Sequence, residues 1–267
     1  MNLPRRTFLK TALTATAATT LTGLKATAAD GPAAGREYHE LRAYRLRPGA
    51  SRDLLDHYLE KAFIPALNAR GIKAVGVFSE TEPKDGPTVW VLFSHPDLES
   101  VATVNASLNA DPAVVAAAGD YFAATTKANP AFDRLDTWLL LAFAGLPRLT
   151  VPPLTATTPD RIFELRTYES PNETKALNKV AMFNAGEIEL MQNLDMNPVF
   201  YGQALVGRDL PHLTYLLGGP DRETHAKHWK AFFDHPVWVK LKNDPQYADN
   251  VSKVTSRFLV PAPYSQI

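Results

Sequence analysis

The sequence predicts an α+β protein made of two tandem ferredoxin-like units, each a β-α-β-β-α-α-β series, that close on each other as one intramolecular barrel. Three observations predict it. A Glu-x-Arg-x-Tyr strand opens each half: Glu40-Leu41-Arg42-Ala43-Tyr44 returns 124 positions later as Glu164-Leu165-Arg166-Thr167-Tyr168. Proline anchors return at the same spacing, Pro87 with Pro211, Pro96-Asp97 with Pro220-Asp221 and Pro112 with Pro236. Stretches of period-two and helical-period hydrophobicity then follow one order in both halves. One such unit covers only one face of its sheet with helices, so two units can bury their bare faces together.

In chain order, residues 1–28 read as a leader. Arg5-Arg6-Thr7-Phe8-Leu9-Lys10 carries the paired arginines of the twin-arginine export address. A weakly apolar, Thr-rich run follows, too short to span a bilayer, and Ala26-Thr27-Ala28 places cleavage after Ala28. The expected location is therefore the periplasm or the medium, with the twin-arginine machinery as partner and no transmembrane anchor in the mature form. Residues 29–37 form a short mature tail.

The first repeat covers residues 38–144. Tyr38 to Leu46 alternates as a strand and ends at the turn signal Pro48-Gly49. Leu54, Leu55, Tyr58, Leu59, Ala62, Ala66 and Leu67 recur at helical spacing up to Gly71. Ile72 to Phe78 and Thr88 to Phe93 are two strands, Asp97 caps a second helix, Asp111-Pro112 starts a third, and Arg134 to Phe143 is a closing strand. Residues 145–160, rich in Pro and Thr, suit a stiff connector. The second repeat, 161–267, repeats the series with Leu177, Val180, Ala181, Asn184, Ile188 and Met191 as its first helical stripe.

Composition narrows the chemistry. The 267 residues are 45% hydrophobic with a formal net charge of +0, which permits a sizeable core and argues against the basic face of a nucleic-acid binder. With Cys 0, disulfides, thiolate metal sites, iron–sulfur clusters and cysteine nucleophiles are excluded. G-x-G-x-x-G, G-x-x-x-x-G-K-[ST], H-E-x-x-H and G-x-S-x-G are all missing, which disfavours nucleotide and flavin dependence through those motifs, and nothing supports a Ser-His-Asp arrangement.

Side chains two apart share a strand face, so Glu40, Arg42 and Tyr44 lie together, as do Glu164, Arg166 and Tyr168. If helices cover the Leu41/Ala43 side, the polar trio points into the barrel. There it forms either an inter-sheet ion-pair network that sets how the halves dock, the expected reading, or a pocket in which Arg holds an anion and Tyr donates a hydrogen bond. His225 and His228, at i and i+3 of a helix, are the candidate metal or heme ligands, without a third ligand at a matching spacing. His39, His57, His95, His212 and His235 receive no role.

The chain resembles the NIPSNAP family of the dimeric α+β barrel superfamily. The resemblance rests on Glu40-Leu41-Arg42-Ala43-Tyr44, on Phe163-Glu164-Leu165-Arg166-Thr167-Tyr168, on His228-Trp229-Lys230-Ala231-Phe232 with His235-Pro236-Val237-Trp238, and on Leu259 to Ser265. It spans nearly all of the mature chain, except that Thr103 to Leu108 and Asp111 to Val114 lack the matching tryptophans. It implies the barrel fold and a tendency to pair, leaving a homodimer open, but no agreed reaction. Superfamily neighbours include cofactor-free monooxygenases and heme proteins. Two functions are therefore expected, in this order: an exported binding or interaction scaffold, and a small-molecule enzyme, cofactor-free or heme-using and monooxygenase-like, working in the barrel cavity. No cofactor is indicated by motif, and heme or metal rests on His225 and His228 alone.

Overall fold

The computed structural model describes residues 35–267. Arg5, Arg6 and the cleavage position after Ala28 lie outside the described residues. Eight strands carry the fold: β1 (Tyr38–Arg45), β2 (Gly76–Glu80), β3 (Thr88–His95), β4 (Arg134–Ala142), β5 (Ile162–Glu169), β6 (Pro198–Val206), β7 (His212–Gly219) and β8 (Lys253–Pro261). All pairings are antiparallel, and the sheet closes as β1-β3-β2-β8-β5-β7-β6-β4. Closure leaves no unpaired sheet edge. The first four strands are contiguous, as are the last four, so the two seams are β2–β8 and β4–β6. The β2–β8 seam pairs only Phe78, Ser79 and Glu80 with Pro261, Val260 and Leu259, and the β4–β6 seam is bulged between Leu139 and Leu140.

Helices sheathe the outside. α1 (Asp53–His57) runs through a π-helical stretch, Tyr58–Phe63, into α2 (Ile64–Ala69). α3 (Leu98–Ala110), α4 (Pro112–Ala117) and α5 (Asp120–Ala124) follow β3. In the second half α7 (Glu173–Met182) passes through Phe183–Glu187, also π-helical, into α8 (Ile188–Asn193), and α9 (Arg222–Asp234) and α10 (Pro236–Asn243) follow β7. Side-chain caps set the helix starts. Asp97 accepts from the Ser100 amide and Asp221 from the Thr224 amide, each satisfying a first-turn donor. Among the described residues no helix is long and apolar enough to cross a membrane.

Three expectations change. The connector 145–160 is not a bare spacer: it forms α6 (Leu154–Thr157), and Leu146 and Leu154 are buried in the core. α5 adds a short helix that the periodicity did not announce. The second helical stripe is rotated, with Leu177, Ala181 and Asn184 exposed and Ala176, Lys179, Met182, Phe183 and Glu187 buried. A lysine and a glutamate read as surface residues, and the widened π turn around Gly186 (φ 157) breaks the 3.6-residue period.

The larger correction concerns the strand faces. Leu41, Ala43, Phe78, Leu92, Leu140, Phe163, Leu165 and Leu216 form one apolar cluster inside the barrel. Tyr44 belongs instead to the cluster between sheet and helices, with Tyr58, Phe63 and Phe93, and Tyr215 and Phe183 occupy the same layer in the second half. Glu40, Arg42, Tyr44, Glu164, Arg166 and Tyr168 therefore lie beneath the helices, not in the lumen. An eight-stranded lumen is just wide enough for interdigitated side chains and offers buried charges few partners. Helices bring polar side chains of their own, so the charged face is satisfied on that side.

Candidate functional site beneath the helices

β1 presents Glu40, Arg42 and Tyr44 in a row to the helix layer. Arg42 is pinned by three partners: Nε donates to Glu40 Oε1 (2.6 Å), Nη1 to the Tyr44 hydroxyl (3.3 Å) and Nη2 to Asn105 Oδ1 of α3 (2.6 Å). Its guanidinium also lies 5.1 Å from the Phe63 ring centroid and 5.0 Å from that of Phe93. The second oxygen of Glu40 meets His95 Nε2 at 2.9 Å, and His95 Nδ1 meets Ser100 Oγ at 2.9 Å. Burial pushes the Glu40 carboxyl up, but the His95 hydrogen bond and the Arg42 charge outweigh it and hold the group below its ordinary range. The result is a neutralised cluster. The Arg42 charge is balanced within the cluster by Glu40.

The second half repeats the strand trio with different helix partners. Arg166 Nη1 donates to Glu164 Oε1 at 2.5 Å, and its Nε and Nη2 reach the Tyr168 hydroxyl, which accepts from Tyr215 at 2.8 Å. Glu164 Oε2 is met by His225 Nε2 (2.8 Å) and by the Trp229 indole N–H (2.7 Å). Burial again pushes this carboxyl up, and the His225 bond, Arg166 and Ser256 bring it down to about 2. The Arg166 guanidinium sits 4.5 Å from the Trp229 ring centroid.

One position separates the halves in volume. Trp229 is the eighth residue of α9, and Asn105 is the eighth residue of α3. Where the indole covers Arg166, the short amide caps Arg42, and beside it a cavity of about 330 Å³ opens. The cavity is floored by Arg42, Tyr44 and Thr137 and walled by Tyr58, Asn105, Tyr121 and Phe122. Tyr58 and Tyr121 stack face to face at 4.1 Å and 9°. Burial pushes the Tyr58 phenol up to about 12 and raises that of Tyr121 too, so both keep their protons. The wall thus offers flat apolar surface and neutral hydrogen-bonding groups.

The candidate histidines fall differently. His225 is buried with Nε2 committed to Glu164, and its Nδ1 is enclosed without a partner near Gly219, where an added β-carbon would lie 3.3 Å away. Neither nitrogen reaches open space, so His225 does not fit an axial heme ligand or a metal ligand. His228 is half-buried with Nδ1 enclosed and unpartnered. Among the described residues no three His, Cys, Asp or Glu side chains converge on a metal-sized position. Sequence reasoning missed His95, which received no role, Tyr58, which was placed only on the first helical stripe, and Tyr121, which lies in the unannounced helix α5. It also missed the buried pair Lys179 Nζ–Glu187 Oε1 (2.6 Å), whose ammonium lies 4.8 Å from the Phe183 ring and 5.4 Å from Trp238. The signal for His95 was its place on the Phe93 face of β3, diagonal to Glu40.

No curated protein matches this sequence. Among solved structures, the barrel superposes on a candidate monooxygenase from Lactobacillus acidophilus with a TM-score of 0.55 and 7% identity, covering 85% of this chain and 94% of that one. A second candidate monooxygenase, from Fusobacterium nucleatum, gives 0.54 and 7% over 85% of this chain and 93% of that one. These likenesses establish the fold. A NIPSNAP-like domain protein from Burkholderia xenovorans is 21% identical over 40% of this chain and 90% of its own, with a TM-score of 0.36. Residues 163–266, from the Glu164-Arg166-Tyr168 strand through β8 to Gln266, match the model of the NIPSNAP family.

Proposed function

We propose that this chain is an exported, tandem NIPSNAP-type barrel whose first half is a binding site for a small, neutral, planar molecule with hydrogen-bonding groups. The observation that carries the binding reading is the 330 Å³ cavity beside Asn105, at the position filled by Trp229 in the other half. Its size sits at the lower end of small-molecule sites, and its aromatic walls with a few polar groups match what such sites use. The Arg42 charge is paired with Glu40, and Nε, Nη1 and Nη2 each already donate one hydrogen bond, which favours a neutral ligand over an anion. The tandem reading is supported by β5, β7 and α9, which each begin 124 residues after β1, β3 and α3. Export through the twin-arginine machinery is supported by Arg5-Arg6 and the Ala26-Thr27-Ala28 site.

The test is a thermal-shift and calorimetric screen of small phenols and quinols against the mature protein and its Asn105→Trp variant. A compound that binds the wild type at about one equivalent and fails to bind Asn105→Trp supports the site. Equal binding to both proteins refutes it. The second reading, a cofactor-free monooxygenase, draws on the names of the two superposable structures and uses the same cavity. It requires oxygen uptake when the bound compound is turned over, abolished by Asn105→Trp. Binding without uptake leaves the protein a carrier or sensor.

A further inference from the structure

The floor of the cavity beside Asn105 carries a surplus of hydrogen-bond donors. Tyr44 is 2% exposed, and its oxygen accepts from Arg42 Nη1 at 3.3 Å. The hydroxyl proton is left to be given elsewhere, and it meets no acceptor among the described residues. A guanidinium only donates, so the Asn105 atom 2.6 Å from Arg42 Nη2 is the oxygen, and the amide nitrogen turns away from Arg42. That nitrogen too meets no acceptor among the described residues. Arg42 itself has spent one hydrogen each of Nη1 and Nη2 and keeps the other. Both Glu40 oxygens are already engaged, Oε1 by Arg42 and Oε2 by His95.

The second half covers the matching phenol. There Tyr215, directly across from Arg166 on β7, sets its hydroxyl 2.8 Å from that of Tyr168. The residue directly across from Arg42 on β3 is Val91, which has no hydroxyl to offer. Val91 and Asn105 are thus both smaller than their counterparts Tyr215 and Trp229, and both differences fall beside Arg42. Asn109, Thr137 and the hydroxyls of Tyr58 and Tyr121 carry donor and acceptor alike and set no preference. A buried donor without an acceptor is costly, so the floor favours a ligand that brings an acceptor and no proton of its own.

We propose that this cavity selects a flat, neutral carbonyl compound whose C=O oxygen sits over Arg42, between the Tyr44 hydroxyl and the Asn105 amide N–H groups. The selection rests on the cavity being the ligand site argued above, and it names the ligand's chemistry. A carbonyl oxygen carries two lone pairs in one plane and accepts from two sides at once. A phenol or alcohol brings a proton as well, whose acceptor must be found away from the floor, among the wall hydroxyls. A carboxylate would add a second negative charge beside Arg42, whose charge Glu40 already balances.

The test compares 1-indanone with 1-indanol and indane, which share its ring skeleton, by calorimetry on the mature protein. The ketone should bind about tenfold more tightly than either, the worth of one hydrogen bond. Tyr44→Phe keeps the ring against Phe132 and should remove most of that advantage while leaving indane affinity unchanged. Asn105→Asp keeps an oxygen for Arg42 and puts an acceptor where the amide donated, so it should reverse the order of ketone and alcohol. The infrared carbonyl stretch of bound 1-indanone should lie below its value in hexane and move back up in Tyr44→Phe. Equal affinity for all three compounds overturns the carbonyl preference and leaves the cavity a ligand site. A ketone advantage unchanged in both variants overturns the seat assigned to the oxygen. Binding of none of the three overturns the proposal, and if the phenols and quinols also fail, the ligand site falls with it.

Discussion

Replacing Trp229 by Asn gives α9 the side chain that α3 carries at its eighth position, and the cost can be worked from the contacts. The indole N–H donates to a buried carboxylate at 2.7 Å, the ring takes the Arg166 guanidinium at 4.5 Å, and it stacks on Phe233 at 5.3 Å and 20°. A hydrogen bond to a charged group is worth about 1.5–3 kcal/mol, an exposed-side cation–π contact about 0.5–1, and an aromatic pair about 0.5–1.5. Against this, the new amide can cap Arg166 as Asn105 caps Arg42 at 2.6 Å, returning about 1–2 kcal/mol. The expected net loss is about 3 kcal/mol. For a domain of this size that is a fall in Tm of about 6–12 °C, measured by scanning calorimetry at pH 7. The variant should also take up a second equivalent of any compound that binds beside Asn105. A Tm within about 2 °C of wild type would show that the indole neither seals nor supports the second half, and the volume argument for the first half would fall with it.

Acid should unfold the protein in two stages. Burial lowers the His39 pKa to about 3 from its ordinary 6.5, so the unfolded chain takes up a proton that the fold refuses; stability is complete above pH 6.5 and falls as pH drops toward 3. Between pH 6.5 and 4.5 this amounts to about 2 kcal/mol. Glu164, held at about 2 against an ordinary 4.5, adds a loss that begins near pH 4.5. Circular-dichroism melts should show His39→Phe flattening the upper stage only. Lys179→Met leaves Glu187 buried and unpaired and should cost about 3–5 kcal/mol in urea unfolding, with Lys179→Met/Glu187→Leu recovering most of it. Recovery of none would assign the pair a role beyond charge balance. Gly207→Ala places a β-carbon 2.3 Å from Trp138 Cδ1 at φ +145, so a Tm loss above about 4 °C and a shifted tryptophan emission are expected.

The strand pattern was legible because its cause is local. Alternation over Tyr38 to Leu46 and the helical spacing from Leu54 to Leu67 each need only the period of one element, and the aspartate caps at 97 and 111 announce themselves one residue ahead of a helix. Which face of β1 turns inward was not legible. Both faces of this strand are buried, Leu41 in the lumen and Tyr44 under helices, so polarity alone cannot rank them. Only the width of a closed eight-stranded sheet decides it. The π turns escaped for a related reason: one extra residue per turn rotates the stripe, and Lys179 enters the core because Glu187, eight positions on, turns with it. The missing tryptophan in Thr103 to Leu108 was legible, but not the space it leaves, because only the fold shows that this helix position stands over Arg42.

What the two halves hold constant is the satisfaction of one carboxylate, and they do so with different parts. Glu40 takes its histidine from the last residue of β3, His95, whereas the last residue of β7 is Gly219. The histidine for Glu164 comes instead from the fourth residue of α9, and Gly219 leaves room for that ring. A buried carboxylate without donors would cost several kcal/mol, so the strand arginine and one histidine are retained whichever element supplies the latter. Volume is under no such constraint. Moving the histidine to α9 and adding Trp229 closes the second half, while His95 on the strand frees α3 to carry Asn105 and leave space above Arg42. Arg42 and His95 already satisfy Glu40 without an indole at the Asn105 position, so the carboxylate's need does not account for the cavity. The side chain at one helix position does, and a ligand is the simplest reason to keep that position small.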